Sequence, residues 1–205
     1  MKIKNVFNGD KLFFTSDTHF YHKKIDEFCD RGFNCDAESM NETLILSWNK
    51  KIPKDGIVFH LGDFAMTADI QKIKDIKDRL NGTIHLVLGN HDLHNRFGRQ
   101  VIKDIFNNLA YDVLQIEVYD KKTDCLPRTS LESESIKLFM SHYPHLEWPR
   151  RCVHLHGHSH SNAKKQIDFN PNRYDVGIDN NNLMPISWNE LKEIISYQNL
   201  NLKRL

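Results

Sequence analysis

No stretch of this chain approaches the roughly 20 consecutive apolar residues of a membrane span, and Met1 to Asp10 lack the apolar centre of a secretion signal. A membrane-bound or exported protein is therefore not expected, and the cytoplasm is the expected location. Cysteine is sparse. Cys29, Cys35, Cys125 and Cys152 form no C-x-x-C pair, so the thiols read as buried, reduced side chains, with neither a disulfide framework nor a cysteine metal site. An excess of charge is missing too: 28 Lys and Arg face 27 Asp and Glu, for a formal net charge of +1. No general field draws nucleic acid or acidic membranes to such a surface, and any polyanion has to be held by a local site. Internal repeats and low-complexity segments are absent, apart from Asn180-Asn181-Asn182, which reads as a turn.

What the chain does contain is histidine, 12 in 205 residues. With 40% hydrophobic and 27% charged residues, its length suits one domain over residues 1–205. Three short apolar runs read as buried strands: Lys11 to Ser16, Ile57 to Leu61 and Ile84 to Leu88. Between them, Met40, Leu44, Ile45, Trp48 and Ile52 recur at helical spacing and stop at Pro53. Thr67 is expected to cap a second helix carrying Ile70, Ile73, Ile76 and Leu80, ended by Asn81-Gly82. Strand, helix, strand, helix, strand predicts right-handed crossovers and a largely parallel sheet.

The second half changes character. Val113 to Tyr119 alternates like a half-exposed strand, and the polar stretch from Asp120 to Ser135 reads as a hairpin or loop. Further strands are expected at Ile136 to Met140, Cys152 to His156 and Tyr174 to Gly177, with a last helix over Asn189 to Tyr197. The expected fold class is α/β, two packed mixed sheets covered by helices, with ligands at strand ends.

Residues of metal-ligand type follow these strands. Asp17-Thr18-His19, Gly62-Asp63, Gly89-Asn90-His91-Asp92 and Gly157-His158-Ser159-His160 each come directly after a predicted strand, and His142 stands between the last two. Each motif alone is ordinary, since D-x-H and H-x-H are common by chance and G-D or G-N-H-D can be a turn or a cap. Jointly they offer mixed carboxylate and imidazole donors, which suit Mn²⁺, Fe²⁺ or Zn²⁺ better than Mg²⁺ or Ca²⁺. In Asp17-Thr18-His19 both donors reach one side if the backbone stays extended, and Gly157 permits an unusual turn before His158.

The ordered set from Asp17 to His160 resembles the calcineurin-like metallophosphoesterase superfamily. The wording around it is similar to small bacterial and phage-type members, as in Ser141-His142-Tyr143-Pro144 and Val176-Gly177-Ile178-Asp179. The resemblance implies a four-layer α/β/β/α sandwich and a binuclear hydrolase of phosphodiesters or phosphomonoesters. It implies that Asp17, His19 and His160 hold one ion, Asn90, His142 and His158 the other, and that Asp63 bridges them. Two divalent transition-metal ions are implied, Mn²⁺ first, with Fe, Zn, Ni or Co as other candidates; such a pair shares a water and presents it as hydroxide. His91 is then placed to protonate the leaving group, with Asp92 fixing its tautomer. Phe64-Ala65-Met66 lacks the second acidic residue of the G-D-x-x-D pattern, which argues against a phosphoprotein phosphatase without costing a metal ligand.

Beyond the ligands, Arg31 and Arg96 are candidates to clamp a substrate phosphate through their planar forks. His22, His94 and His145 follow or flank ligand segments and could touch substrate, whereas His60, His85, His154 and His156 fall within strands and read as satisfied or supporting histidines. The expected partner is a small phosphoester or nucleotide. A nuclease acting on long DNA or RNA is less favoured for want of a basic surface. A non-catalytic interaction module of the same fold is the alternative from another class, but such modules typically drop ligands that this chain keeps.

Overall fold

The computed structural model describes residues 2–94, 98–119, 135–160, 170 and 172–202. Among the described residues, ten strands form two five-stranded mixed sheets. The first sheet has β2 (Leu12–Thr15), β3 (Ile57–His60), β4 (Thr83–Val87) and β5 (Ala110–Tyr111) in parallel, with the short β10 (Ile186–Ser187) antiparallel at the β2 edge. The second has the order β1 (Lys2–Asn8), β6 (Leu114–Tyr119), β7 (Ser135–Met140), β8 (Cys152–His156) and β9 (Arg173–Asp175). Only the β6–β7 pair in it is antiparallel. The two-sheet α/β expectation is met. The edge strands β5 and β10 carry no sequence signal, because two-residue strands are too short to show a period, and the seven-residue β1, interrupted by Lys4 and Asn5, shows neither an apolar run nor a sustained alternation.

Packing explains why these segments settle where they do. The inner face of β6 presents Leu114, Ile116 and Val118, and β7 and β8 add Leu138, Met140, Val153 and Leu155. These meet Phe14, Phe59, Leu61 and Val87 of the first sheet in one core. Each such side chain gains about 1.5–3 kcal/mol on burial, so a one-residue slip in any strand would be costly. Two one-turn helices, α1 (Ile25–Cys29) and α4 (Asn90–His94), follow β2 and β4 in the chain, and the other face of the first sheet packs against helices α2 (Ala37–Lys51), α3 (Ile70–Arg79) and α5 (Gly98–Ile105), through Met40, Leu44, Trp48, Ile73, Ile76 and Ile102. Helix α6 (Trp188–Leu202) closes the inter-sheet core at the β2 and β10 edge with Trp188, Leu191 and Ile195. No helix among the described residues is long and apolar enough to cross a membrane.

Helix starts differ from expectation in an instructive way. Asp36 caps α2 by accepting from Glu38 and Ser39 N–H, so the helix begins at Ala37, three residues before Met40, the first of the spaced apolar residues. The α3 cap is Asp69, which accepts from Gln71 and Lys72 N–H, and the predicted cap Thr67 instead accepts from the Asp69 N–H. A carboxylate is the stronger acceptor at a helix N-terminus, and it displaced the hydroxyl by two residues. Cys29 and Cys35 are half-buried and Cys152 is buried. The polar stretch at 120–134, with Cys125, lies outside the described residues.

The sheets touch at their ligand-bearing ends. Ser16, just past β2, bridges Gly177, just past β9, and the Ile178 N–H donates to Ser16 O at 3.1 Å. Segments following β2, β3, β4, β7, β8 and β9 therefore converge on one edge of the molecule.

Candidate metal centre

Past Thr15 the chain abandons strand geometry. Asp17 (φ 59°), His19 (49°), Asp63 (56°), His158 (68°) and His160 (42°) all lie in the left-handed region, five of the seven expected ligands. The expected extended backbone through Asp17-Thr18-His19 is thus corrected: two left-handed residues flanking a buried Thr18 aim the side chains instead. Each such residue costs on the order of 1–2 kcal/mol, and Asp and His are among the types that tolerate it best. Backbone bonds from Asp17 N–H to Gly62 O (2.9 Å) and from His19 N–H to Asp63 O (3.0 Å) lock the two loops together.

The role expected of Gly157 also changes. Its φ is ordinary, but a Cβ there would sit 2.0 Å from Ser16 Oγ and 2.3 Å from Asp17 Oδ2. It is needed for a close approach, and the unusual turn falls on His158. Gly62 needs both properties, with φ +102° and a virtual Cβ 2.6 Å from His142 Nδ1.

These loops gather donor atoms into two clusters that share Asp63. On one side, His19 Nε2 lies 3.2 Å from His160 Nε2, 3.9 Å from Asp17 Oδ1 and 3.6 Å from Asp63 Oδ2. On the other, His142 Nε2 lies 3.4 Å from Asp63 Oδ2, 3.0 Å from Asn90 Oδ1 and 3.2 Å from His158 Nδ1. Donors about 2.1 Å from one cation at near-octahedral or tetrahedral angles lie roughly 3.0–3.5 Å apart, so these spacings need only slight contraction. The fit to cations has an independent sign: Asp17 Oδ1 is buried without a hydrogen-bond partner, and a lone buried carboxylate oxygen is costly unless something positive meets it.

Supporting bonds select which ring nitrogen is free. His142 Nδ1 donates to Leu61 O at 2.8 Å, leaving Nε2 for an ion. His160 Nδ1 donates to Asp179 Oδ2 at 2.7 Å, again freeing Nε2. Asp63 Oδ1 accepts from the His91 N–H at 2.9 Å, so Oδ2 is the oxygen turned toward both clusters. Asp17 Oδ2 accepts from the His158 N–H at 2.9 Å.

Electrostatics in the metal-free protein report the same crowding. Burial pushes Asp17 up to about 7, against the pull of His142 and His160. Burial acts to lower His142 and His160, yet Asp63 and Asp17 lift His142 to about 9, and Asp179, Cys29 and Asp17 lift His160 to about 10. Burial raises Asp63, but His142 and His19 outweigh it and hold the carboxyl well below the usual range. Protons on His142 and His160 do in part what a cation would do, which is to offset two buried carboxylates.

Asp92 and Arg31 do not have the roles expected of them. Asp92, 4% exposed, accepts from Asp63 and Gly89 N–H through Oδ2, both at 2.8 Å, and from Phe64 N–H through Oδ1 at 3.0 Å. Its oxygens are taken, and none of its bonds goes to His91; it ties the Asp63 loop to the Gly89 loop. Burial and the Asp63 charge raise Asp92 to about 6 while the three N–H groups oppose them. The Arg31 guanidinium, with no exposed side-chain surface, grips both oxygens of Asp179 (2.7 and 2.9 Å) and the carbonyls of Asp17 and Thr18. It holds the site from beneath and has no fork to offer a phosphate. Arg96 lies outside the described residues.

His91 stands at the mouth, its side chain 30% exposed, with Nε2 3.9 Å from Asp63 Oδ2 and its ring 5.3 Å from that of His19 and 6.4 Å from that of His22. His60 completes an interior relay: Gly62 N–H donates to its Nδ1, and its Nε2 meets Thr18 Oγ1, which donates to Phe64 O. His154, by contrast, is remote from the clusters, with Nδ1 to Phe139 O and Nε2 accepting from the His145 N–H.

Sequence reasoning missed Asp179 as the residue that orients His160. Its only signal was its place in the Val176 to Asp179 run, because the contact with His160 is made through the fold.

The family model for calcineurin-like phosphoesterases matches residues 11–190. The chain belongs to that family. Among its relatives, an uncharacterized protein of Methanocaldococcus jannaschii is 28% identical over 191 residues, covering 90% of this chain and 91% of the relative. The gene 66 protein of Mycobacterium phage L5 is 29% identical over 182 residues, covering 81% and 85%. In three dimensions the chain is similar to a protein of unknown function from Aquifex aeolicus, with a TM-score of 0.53 and 22% identity over 89% of this chain and 98% of that one. That likeness shows a shared fold alone. The family match and the His and Asp clusters together make this a phosphoesterase-family chain with candidate sites for divalent metals.

Proposed function

We propose that the chain is a binuclear, metal-dependent phosphoesterase acting on a small phosphodiester or phosphomonoester such as a nucleotide, with Mn²⁺ the preferred ion. The observation that carries this reading is Asp63 Oδ2, placed 3.6 Å from His19 Nε2 and 3.4 Å from His142 Nε2 between two sets of converging donors. Asp17, His19 and His160 would hold one cation, Asn90, His142 and His158 the other, with Asp63 common to both. A cation pair so bound lowers the pKa of a water and neutralises charge on the phosphoryl oxygens.

The chain's own groups supply the rest. Arg31, Asp179 and the backbone bonds to Asp17 and His19 fix the donors before substrate arrives, so little reorganisation accompanies the reaction. His91, open to solvent beside the bridging carboxylate, donates a proton to the leaving oxygen. Asp92 keeps Asp63 and Asn90 in register. The complete donor set favours catalysis over a non-catalytic module, and the balanced charge favours a small substrate over a long polyanion.

The test is hydrolysis of bis-p-nitrophenyl phosphate and p-nitrophenyl phosphate by chelator-stripped protein, before and after Mn²⁺ is restored. Turnover that appears only with the added ion is expected. Equal turnover without it would overturn the reading.

A further inference from the structure

Six large apolar or aromatic side chains are exposed among the described residues, and their placement is uneven. Met66, Leu93, Tyr143 and Leu146 follow Asp63, Asn90 and His142 by one to four positions, and Phe28 packs edge-on to His22 at 6.5 Å; Leu46 on α2 is the one away from these segments. Scattered exposed apolar residues need no explanation. A set gathered on ligand-bearing loops does, because a bare phosphate offers apolar surface nothing to bind.

Tyr143 is the best defined of them. Its ring lies edge-to-face against His158 at 4.5 Å and His142 at 5.1 Å, two expected ligands of the same ion, yet it remains 48% exposed. Its backbone is pinned as well, since buried Ser141 donates from Oγ to Tyr143 O at 2.9 Å. The ring is therefore held in place before any ligand arrives, with part of its surface open beside the position a phosphoryl group would take. A fixed aromatic ring next to an anion site suits a ligand that joins a phosphate to a planar ring, because base–aromatic stacking is favourable and tolerant of base identity. Leu146, 82% exposed three residues on, extends apolar surface along the same segment.

We infer that Tyr143 is a specificity-determining residue whose ring stacks on a planar aromatic group of the substrate, so that the preferred ligands are nucleotides or other aryl phosphoesters rather than sugar or alkyl phosphates. This rests on the phosphoesterase reading above. It assigns Tyr143 to the group attached to phosphorus and leaves the reaction to the other residues.

The test is calorimetric binding to Mn²⁺-loaded protein of inorganic phosphate and of the methylenephosphonate analogues of adenosine 5′-phosphate and ribose 5-phosphate, which cannot be hydrolysed. The adenosine analogue is expected to bind roughly tenfold more tightly than the ribose analogue. Tyr143→Ala should remove that advantage while leaving phosphate affinity and metal content unchanged, and Tyr143→Phe should keep it. Equal binding of the two analogues by the unaltered protein would overturn the inference while the phosphoesterase reading stood. A Tyr143→Ala variant that weakened all three ligands alike would also overturn it, making the ring a wall for His142 and His158. Failure of phosphate itself to bind would count against both the underlying reading and the inference built on it.

Discussion

Replacing Asp92 by Asn separates two roles for the residue next to His91, the proposed proton donor. Asp92 accepts three backbone N–H bonds, two at Oδ2 and one at Oδ1. An amide can present its oxygen at only one of those places. With the oxygen kept at the Oδ2 position, its NH₂ faces the Phe64 N–H, so one charge-assisted bond is lost and a buried donor is left without a partner. Hydrogen bonds to charged groups contribute about 1.5–3 kcal/mol, and the two that survive weaken on becoming neutral. Relief of repulsion from Asp63, one reason Asp92 is raised to about 6, offsets part of this. The expected cost is about 2–3 kcal/mol, which for a chain of this size lowers Tm by roughly 4–12 °C. Because the bonds that loosen hold Asp63 and the Gly89-Asn90 turn, affinity for the Asn90-side metal should fall about 10–100-fold. Thermal unfolding of metal-free protein and metal titration measure both quantities. Unchanged Tm and metal affinity with a large loss of turnover would refute the brace and restore Asp92 as the partner of His91.

Three further outcomes are expected. His91→Ala should keep both metals and lose about 10²–10⁴ in rate, most with poor leaving groups; an unchanged rate on an alkyl ester would remove it as proton donor. Asp179→Ala should weaken the metal held by His160 by about 10–100-fold and spare the other, which metal titration with site-resolved readout checks. Burial holds the fully buried His154 near 3, against an unfolded value near 6.5, so its contribution to stability is present above pH 6.5 and drains away as pH falls toward 3. From pH 7 to 5 the loss is about 2 kcal/mol, and urea unfolding of chelator-treated protein should show His154→Gln flattening that slope by a like amount. Parallel slopes for the two proteins would contradict it.

The parts of the molecule legible in the sequence are those governed by local pattern. Buried strands such as Phe13-Phe14 and Val58-Phe59 announce themselves as apolar runs, and helix α2 by the spacing of Met40, Leu44 and Trp48. Donors at the ends of such strands could be named because parallel strands deliver them to one edge. What could not be read was set by tertiary contact. Asp92 is next to His91 in sequence, but the orphan N–H groups of two loops claim its carboxylate. Arg31 has the look of a phosphate clamp until Asp179, 148 positions away, takes both arms of its fork. Left-handed conformations at Asp17, His19 and Asp63 likewise depend on bonds between the β2 and β3 loops, which no spacing within either segment records.

The central claim is a metal pair joined through Asp63 Oδ2, and anomalous diffraction from Mn²⁺-loaded crystals tests it most directly. Two peaks roughly 3.5–4 Å apart are expected, one ligated by Asp17, His19 and His160, the other by Asn90, His142 and His158, with Asp63 Oδ2 reaching both. A single peak, or two peaks that Asp63 does not join, would contradict it.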